Sequence, residues 1–401
     1  MSFQFEGDLD ISKSWMNRAL VVQSYQGEVE IEGKSSSEDV LLLKRSLEAL
    51  KNGENEFYVG LGGTTFRFLA LRLSREVGEF KIKAEEKLLS RPQEELISIL
   101  SQLGVKSFFK DNQFVIQSEG WKKPVKGFVT VDSSKSSQFV SSIVLNSLLL
   151  PFDLLIQTPT ITSESYFNYT VKLLSQWGLD LKVSKSTSLK ISILKDQRLN
   201  QKKLYGEVDV SSFFSLASAA LMNGDVRLTN WNPASLQPDM QFVDFFRRMN
   251  IQFSEDLNFF KIAAQKNYKS ISADLSLCPD LFPVLAVVCA FAHGVSHLYG
   301  AQQLIYKETN RIEKTVELLE RCGFQIVLKD DGLIIHGQPE AIYFKRDLII
   351  FDPDHDHRMA FAAALLKLKG FPVMLTDMKV VKKSYPQFFQ HIGIDEGVVI
   401  S

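Results

Sequence analysis

The chain has 401 residues, of which 45% are hydrophobic and 23% charged, and its 46 Lys and Arg residues nearly balance its 47 Asp and Glu residues. This composition predicts a globular protein of more than one domain and argues against a nucleic-acid binder that relies on a broad basic surface. No apolar run is long enough to span a membrane, and residues 2–8 show no secretory signal, so we expect a cytoplasmic protein. The three cysteines lack CxxC spacing, which favours reduced, buried thiols.

A polar start followed by a helix of small and apolar residues occurs six times along the chain. Each of these helices is followed by a turn and a strand. The starts lie at Lys13, Thr64, Ser136, Ser211, Asp280 and His357, and the turns are expected at Gly27, Gly78, Pro151, Gly224, Gly294 and Gly370. From Gly78 onward, successive turns are 70–76 residues apart. A period of this length indicates a repeated supersecondary unit.

A second, amphipathic helix is predicted after each strand, and in the first unit it lies near Glu38–Lys51. Glycine or asparagine is the residue expected to end such a helix in the left-handed conformation. The predicted corners are at Gly104, Gly178, Asn250, Gly323 and, in a truncated last unit, Gly393. Alternating segments such as 114–117 and 332–336 predict strands. The predicted unit is therefore helix, strand, helix and strand pair.

Each polar start is a candidate anion site, because a helix N-terminus has unbonded N–H groups and the positive end of the helix dipole. Six such starts turned toward one cleft would form a receptor for phosphates and carboxylates. A repeat scaffold without chemistry would show the same periodicity. The repeat alone does not separate the two interpretations.

Glu308 lies between Lys307 and Arg311 at the start of a predicted helix that runs to Arg321. A carboxylate among cations is suited to proton transfer beside a bound anion. Charged residues at an exposed helix start also serve ordinary solubility, so both interpretations stay open.

Arg358 lies at the start of a helix that continues through the apolar residues 361–366. An arginine in this position can bind a carboxylate or phosphate through two parallel hydrogen bonds. A salt bridge to Asp354 or Asp356 is the alternative interpretation.

The remaining candidates are cations or hydroxyls beside a helix start or turn: Lys13 with Ser14 and Arg18, Gly62-Gly63 before Thr64 and Arg67, Arg91-Pro92, Ser136-Ser137-Gln138, and Lys383-Ser384. Taken singly, capping, helix initiation or a solvated turn explains each of them. The loop at 354–357 holds two histidines and two aspartates, but without a distant partner it does not predict a metal site.

In combination and order, these motifs resemble the 5-enolpyruvylshikimate-3-phosphate synthase family across nearly the whole chain. The most specific blocks are Lys307-Glu308-Thr309 with Arg311 and Asp356-His357-Arg358-Met359-Ala360. The other matching blocks are Ser12-Lys13-Ser14 with Asn17-Arg18, Gly63-Thr64 with Arg67, Arg91-Pro92, Ser136-Ser137-Gln138-Phe139, Asp209-Val210-Ser211-Ser212, Pro279-Asp280 and Lys383-Ser384-Tyr385-Pro386.

The resemblance implies an α/β (α+β) fold of two similar domains. Each domain would hold three helix-strand-helix-strand-strand units, with the active site in the cleft between the domains. A polar stretch at 196–203 separates two patterned regions. We therefore expect one domain at 13–205 and the other at 1–12 plus 206–401.

The family transfers the enolpyruvyl group of phosphoenolpyruvate to the 5-hydroxyl of shikimate 3-phosphate, by addition and elimination without a metal or another cofactor. The resemblance implies that phosphoenolpyruvate is bound by Lys13, Gly63, Arg91, Gln138, Arg311, Arg358 and Lys383. A ligand with both a phosphate and a carboxylate requires several cations, which agrees with this set.

The resemblance also implies the residues that bind shikimate 3-phosphate: Lys13, Ser14, Arg18, Ser136, Ser137, Gln138, Ser163, Tyr166, Asp280, Gln303 and Lys307. Glu308 would be the acid that protonates the methylene carbon. Asp280 and Lys307 are both candidates for the base, and the sequence does not choose between them. The start at Ser211 has no contact assigned to it.

Several positions depart from the family pattern. Asn310 replaces a usual Asp, which could loosen the orientation of Arg311, and Gln303 replaces a frequent Asn. Leu61-Gly62-Gly63 lacks a usual amide side chain. Glu164 places an acid where a basic residue is usual, near the expected sugar phosphate. These departures leave room for weakened activity or an altered acceptor.

Two alternative functions are considered from the sequence. An enzyme that transfers enolpyruvyl to a UDP-amino sugar would carry a loop cysteine that is not found here. A catalytically silent anion-binding protein would not require the carboxylates Asp280 and Glu308. We expect a monomer that binds the two small-molecule substrates and neither nucleic acid nor a membrane.

Overall fold

The computed structural model describes residues 2–341 and 347–395, which alternate between short helices and strands. The α-helices, α1 to α13 in chain order, are Lys13–Gln23, Glu38–Lys51, Gly63–Leu73, Glu86–Leu89, Glu94–Gln102, Gln138–Leu145, Glu164–Gln176, Val210–Asn223, Gln241–Arg248, Phe282–Ala290, Arg311–Arg321, His357–Leu368 and Phe388–His391. Short 3₁₀ turns are at Pro238–Met240, Pro279–Leu281, Gln302–Tyr306 and Lys379–Lys383.

The strands form small sheets of four or two members. In chain order β1 to β20 are Phe3–Gly7, Glu30–Glu32, Glu56–Tyr58, Val77–Lys83, Lys106–Lys110, Gln113–Glu119, Val129–Thr130, Leu154–Thr158, Leu181–Lys185, Leu189–Ile193, Lys203–Tyr205, Gly224–Trp231, Phe253–Asp256, Asn258–Ala263, Ser272–Asp274, Val295–Tyr299, Gln325–Lys329, Gly332–His336, Ile349–Phe351 and Val373–Leu375.

Four of the sheets share one topology. Their orders are β3-β4-β6-β5, β7-β8-β10-β9, β1-β12-β14-β13 and β15-β16-β18-β17. In each, the first two strands pair in parallel and the other two add antiparallel neighbours. Parallel neighbours require a crossover, and a helix supplies it in three sheets, as α3 does between β3 and β4. This shared topology confirms the repeated unit.

The first and fourth units have exchanged their leading strands. β1 precedes α1 in the chain but pairs in parallel with β12, which follows α8. β11 precedes α8 but pairs in parallel with β2, which follows α1. The chain accordingly divides into two compact units, one of residues 13–206 and the other of residues 1–12 and 207–401.

The predicted helix-ending corners are confirmed. Gly104, Gly178, Asn250, Gly323 and Gly393 all have positive φ, from +58° to +104°. The residue after each corner donates a backbone hydrogen bond to the carbonyl five residues earlier, at 2.9–3.1 Å. This is the Schellman arrangement, which satisfies the last carbonyls of a helix.

Two of the predicted turn glycines lie in strands instead of turns. Gly78 is the second residue of β4, and Gly224 begins β12 directly after the last residue of α8. A Cβ at Gly224 would lie 2.4 Å from a ring carbon of Phe3, its partner on β1. Glycine is therefore required at this position by the close approach of an aromatic ring.

The repeat helices supply the cores. Every residue of α10 is buried, as are the last seven residues of α6. Cys278, Cys289 and Cys322 are also buried and form no disulfide, as expected. Within residues 2–341 and 347–395, no helix is long and apolar enough to cross a membrane.

Candidate functional site

Polar side chains gather at the starts of the repeat helices in both units. We call Lys13, Gly63, Arg67, Arg91 and Gln138 the first cluster; all of them belong to the unit of residues 13–206. The second cluster belongs to the other unit and consists of Asp280, Lys307, Glu308, Arg311, Asp356, Arg358 and Lys383.

Three side chains of the first cluster converge on the N-terminus of α3. A Cβ at Gly63 would lie 3.1 Å from Arg91 Nη1, 3.5 Å from Gln138 Oε1 and 3.6 Å from Arg67 Nη1. Arg91 lies in the loop between α4 and α5, and Gln138 begins α6. The structure thus brings together three residues predicted from sequence, and the bare backbone of Gly63 leaves the helix N-terminus accessible to an anion.

Arg67 holds Gln138 in place. Arg67 Nη1 donates to Gln138 Oε1 at 2.6 Å, while Gln138 Nε2 donates to Thr64 Oγ1 at 2.9 Å. Arg67 is 3% exposed, and its guanidinium lies 4.5 Å from the ring centroid of Phe139. Because both ends of the Gln138 amide are engaged, its orientation at the start of α6 is fixed.

Lys13, the first residue of α1, is paired with a carboxylate from α2. Its Nζ lies 3.0 Å from Asp39 Oδ2, and Asp39 is only 3% exposed. Thr65 Oγ1 donates to the backbone carbonyl of Asp39 at 2.9 Å. A Cβ at Gly62 would lie 2.7 Å from Asp39 Oδ1. The departure from the family pattern at Gly62 therefore makes room for the partner of Lys13.

Arg18 connects α1 to α7. Its Nε donates to Thr170 Oγ1 at 2.8 Å, its Nη1 to the Ser14 carbonyl at 2.7 Å and its Nη2 to the Tyr166 carbonyl at 3.2 Å. Burial lowers the pKa of Arg18 to about 10, so it remains a cation at neutral pH. Three predicted residues, Ser14, Arg18 and Tyr166, are thus brought together, with Ser163 at the start of α7.

Ser136 accepts a hydrogen bond from the backbone N–H of Gln138 at 3.2 Å, and Ser137 is 4% exposed. The capping interpretation therefore applies to Ser136. Glu164, the acid expected near the sugar phosphate, pairs with Lys185 of β9 at 2.6 Å. Its charge is balanced by a cation that the local sequence does not contain.

Arg311 is the centre of the second cluster. Asp356 binds it with both oxygens, at 2.6 Å from Nε and 3.2 Å from Nη2. Nη1 donates to Asp280 Oδ1 at 2.8 Å and Nη2 to Glu308 Oε2 at 3.2 Å. Burial opposes the charge, but Asp356, Asp280 and Glu308 together raise the pKa of Arg311. The guanidinium, 2% exposed, is therefore a permanent cation in a fixed orientation.

Arg358, the second residue of α12, is held from two sides. Its Nη2 donates to Asp280 Oδ2 at 2.9 Å, and its Nη1 donates to the hydroxyl of Ser211 on α8. Asp356, the alternative partner considered from sequence, caps α12 by accepting the backbone N–H of Arg358 at 2.9 Å. The same carboxylate thus orients Arg311 and begins the helix that carries Arg358.

The cations beside Glu308 differ from those expected. Lys307 and Glu308 precede α11 instead of lying in it. Lys383, at the end of a 3₁₀ turn, donates to Glu308 Oε1 at 2.5 Å, while Arg311 bonds to the other oxygen. Lys307 Nζ lies 3.7 Å from Asp280 Oδ1. Both candidate bases are therefore neighbours in the structure.

The charges of the second cluster favour the ionised form of Asp280. Burial alone would raise the pKa of this carboxyl, but Arg358, Lys307 and Arg311 hold it well below its usual range. Four cations face three carboxylates in the cluster. An incoming anion would therefore compete with the carboxylates for these cations, which alters the basicity of Asp280.

Two departures from the family pattern have local explanations. Asn310 is the N-cap of α11, where its side-chain oxygen accepts the backbone N–H of Glu313 at 3.4 Å. Arg311 takes its orientation from three carboxylates instead. Gln303, in the 3₁₀ turn Gln302–Tyr306, is 8% exposed and lies 3.5 Å from the carbonyl of Ser276.

No orienting role was predicted from sequence for Asp39, Arg67 or Ser211, and Asp356 was considered only as a partner of Arg358. The signal for Asp356 was its N-cap position before Arg358, and Arg67 follows Gly63 by one helical turn. Asp39 looked like any acid in the first turn of a helix. Nothing in the sequence links Ser211 to Arg358, since 147 residues separate them.

Comparison with known proteins identifies the family and the fold. The family model of EPSP synthase (3-phosphoshikimate 1-carboxyvinyltransferase) matches residues 12–392. The 3-phosphoshikimate 1-carboxyvinyltransferase of Clostridium novyi is 28% identical, over 98% of this chain and 97% of the relative. The structure of EPSP synthase from Acinetobacter baumannii superposes with a TM-score of 0.73 at 21% identity, over 98% and 95% of the two chains. The structure of the enolpyruvyl transferase NikO from Streptomyces tendae superposes with a TM-score of 0.72 at 14% identity, over 98% of this chain and 94% of that chain.

Proposed function

Because the chain belongs to the EPSP synthase (3-phosphoshikimate 1-carboxyvinyltransferase) family, we propose that it transfers the enolpyruvyl group of phosphoenolpyruvate to the 5-hydroxyl of shikimate 3-phosphate. The product belongs to the shikimate pathway toward chorismate and the aromatic amino acids. The observation that carries the proposal is the second cluster, where both proton-transfer carboxylates are bonded to cations that an anionic substrate would claim.

Addition and elimination each require a proton transfer. In the addition, the 5-hydroxyl oxygen bonds to C2 of phosphoenolpyruvate and loses its proton to a base, while C3 gains a proton from an acid. In the elimination, phosphate leaves C2 and C3 returns a proton, which restores the double bond. Glu308 is the proposed acid, and Asp280 or Lys307 is the proposed base.

The cations have a second role in this proposal. Arg311, Arg358 and Lys383 bind phosphoenolpyruvate together with Lys13, Arg91, Gln138 and the backbone of Gly63. When the negative charge of the substrate offsets the positive charge of Arg358 and Arg311, the Asp280 carboxylate becomes a stronger base. The buried cations also stabilise the charge that develops as phosphate leaves.

The acceptor, shikimate 3-phosphate, is proposed to bind through hydroxyls and cations of α1, α6 and α7 and through the turns before α10 and α11. These residues are Lys13, Ser14, Arg18, Ser136, Ser137, Gln138, Ser163, Tyr166, Asp280, Gln303 and Lys307. Each compact unit is proposed to be one enolpyruvyl transferase domain. The cytoplasmic location and the monomeric state stay predictions.

Phosphate release from phosphoenolpyruvate tests the function. We expect release that depends on shikimate 3-phosphate and is absent with a UDP-amino sugar. Glu308→Gln and Asp280→Asn should slow phosphate release at least about 100-fold. Arg321→Ala, which changes an exposed residue on the same helix as Arg311, should leave it unchanged. Binding of both substrates without release of phosphate would contradict the proposal.

Arg358→Ala tests the assignment of ligands. It should raise the KM for phosphoenolpyruvate by about 10- to 100-fold, since a charge-assisted bond is lost, and affect the KM for shikimate 3-phosphate much less. Equal changes in the two constants would contradict the role of Arg358.

A further inference from the structure

Ser211 is a neutral side-chain partner of Arg358. Its hydroxyl accepts a hydrogen bond from Arg358 Nη1, whereas Nη2 bonds to the carboxylate of Asp280. Both partners lie in the same compact unit as Arg358: Ser211 is on α8, which packs against α12, and Asp280 is in the turn Pro279–Leu281. The two contacts hold the guanidinium from separate elements of the fold.

The difference in charge between the two partners decides what each can do. A carboxylate partner neutralises the guanidinium and must share it with an anionic substrate. A hydroxyl accepts the bond without cancelling the charge, so its contact can persist when the anion binds. The bond also requires one lone pair only and leaves the hydroxyl proton free to rotate.

The position of Ser211 is set by its surroundings. Asp209 caps α8 by accepting the N–H of Ser212 at 2.8 Å, and the N–H of Val210 donates to Gln237. Phe213, two residues after Ser211, is fully buried. Its ring centroid lies 5.3 Å from that of Trp231 and 5.1 Å from that of Phe260. Ser211 is 8% exposed, so its hydroxyl is a fixed acceptor and not a surface group.

We propose that Ser211 is a positioning residue for phosphoenolpyruvate binding, which acts by holding the guanidinium of Arg358 in its substrate-binding orientation. This inference rests on the proposed function and adds a residue to it. It also gives a role to the fourth polar start of the sequence repeat, to which no ligand had been assigned.

The test compares three variants. Ser211→Ala removes the acceptor, Ser211→Thr keeps a hydroxyl at the same place, and Ser212→Ala is the matched control in the same helical turn. We expect Ser211→Ala to raise the KM for phosphoenolpyruvate about tenfold, with kcat and the KM for shikimate 3-phosphate changed less than about twofold. Ser211→Thr should restore the KM, and Ser212→Ala should not change it.

A second measurement separates this inference from the proposed function. Calorimetric titration with phosphoenolpyruvate alone should show the same weakening in Ser211→Ala, and adding Ser211→Ala to Arg358→Ala should weaken binding no further. An unchanged KM in Ser211→Ala, or equal rises in both KM values, would overturn the inference while the function stands. A wild-type protein that binds phosphoenolpyruvate but transfers nothing would overturn the function, with the binding titration still deciding the role of Ser211.

Discussion

The ammonium group of Lys383 lies 2.5 Å from Oε1 of Glu308, and both side chains are largely enclosed, at 4% and 14% exposure. The proposed acid is thus bonded to a proposed substrate ligand. An anion that binds to Lys383 would therefore compete with Glu308 for this ammonium group.

Glu308→Gln should therefore separate chemistry from binding. We expect kcat for phosphate release to fall by about 10²- to 10⁴-fold, because the general acid is lost, while the amide still accepts a hydrogen bond from Lys383. Steady-state kinetics and titration with phosphoenolpyruvate check this. The control is Glu313→Gln, which changes an exposed acid in the first turn of α11, the helix that follows Glu308, and should retain full activity.

Asp280→Asn should destabilise the protein at neutral pH. The change leaves Arg358, Arg311 and Lys307 with one carboxylate fewer, which should cost about 1.5–3 kcal/mol in the free energy of unfolding. The exposed pair of Asp244 and Arg248 provides the control, since Asp244→Asn should change the free energy by less than about 0.5 kcal/mol.

The pH dependence of that difference follows from the lowered pKa of Asp280. The pKa of Asp280 in the folded protein lies below the ordinary value of 3.8. The stabilisation by Asp280 is therefore fully present above pH 3.8 and is lost as the pH falls through the pKa of the folded state. Urea unfolding should show a constant difference in the free energy of unfolding between wild type and Asp280→Asn from about pH 5 to 8. A gap that closes near pH 6 would contradict this.

Gly62→Ala tests the space beside Asp39. The added methyl group would lie 2.7 Å from Asp39 Oδ1 and 2.9 Å from Thr65 Oγ1. We expect a loss of about 1–3 kcal/mol in the free energy of unfolding, since the carboxylate that pairs with Lys13 must shift. Gly27→Ala is the matched control, because nothing lies within 4 Å of its added Cβ. Equal effects of both substitutions would contradict the explanation.

Glu95→Gln should stabilise the protein at neutral pH and above. Burial raises the pKa of Glu95 to about 7 from 4.5, although the N–H of Asp132 donates to it at 2.9 Å. The folded state then binds the proton more tightly, so the free energy of unfolding falls as the pH rises from 4.5 to 7. We expect a gain of about 0.5–1 kcal/mol at pH 8 and none at pH 4.5, with the exposed Glu94→Gln as control. Thermal unfolding at both pH values checks this.

The sequence predicts the repeated unit well because its signals are local. Gly104 and Gly323 end their helices in the left-handed conformation that a side chain disfavours, and the apolar run of α10 is buried as its composition requires. The turn predicted at Gly224 was wrong for a non-local reason. The need for glycine at position 224 comes from Phe3, more than 200 residues away in the chain.

The motifs single out residues of the two clusters one by one but do not predict the network of contacts that joins them. The motifs point to Arg311 and Arg358, whereas their partners Asp280, Asp356 and Ser211 come from different repeats. Long-range pairing of charges depends on how helices pack, and no periodicity in the sequence encodes it. The pairing of Glu164 with Lys185 likewise becomes visible only in the fold.

The pairing of β1 with β12 has a consequence for the synthesis of the chain. Residues 13–206 can complete their own sheets while the ribosome is still translating, but β1 is made first and must wait for its partner at 224–231. At about 5–20 residues per second, the five residues of β1 remain without a sheet for roughly 10–40 s. The alternation of Phe3 and Phe5 with Gln4 and Glu6 keeps one face of this nascent segment polar during that interval.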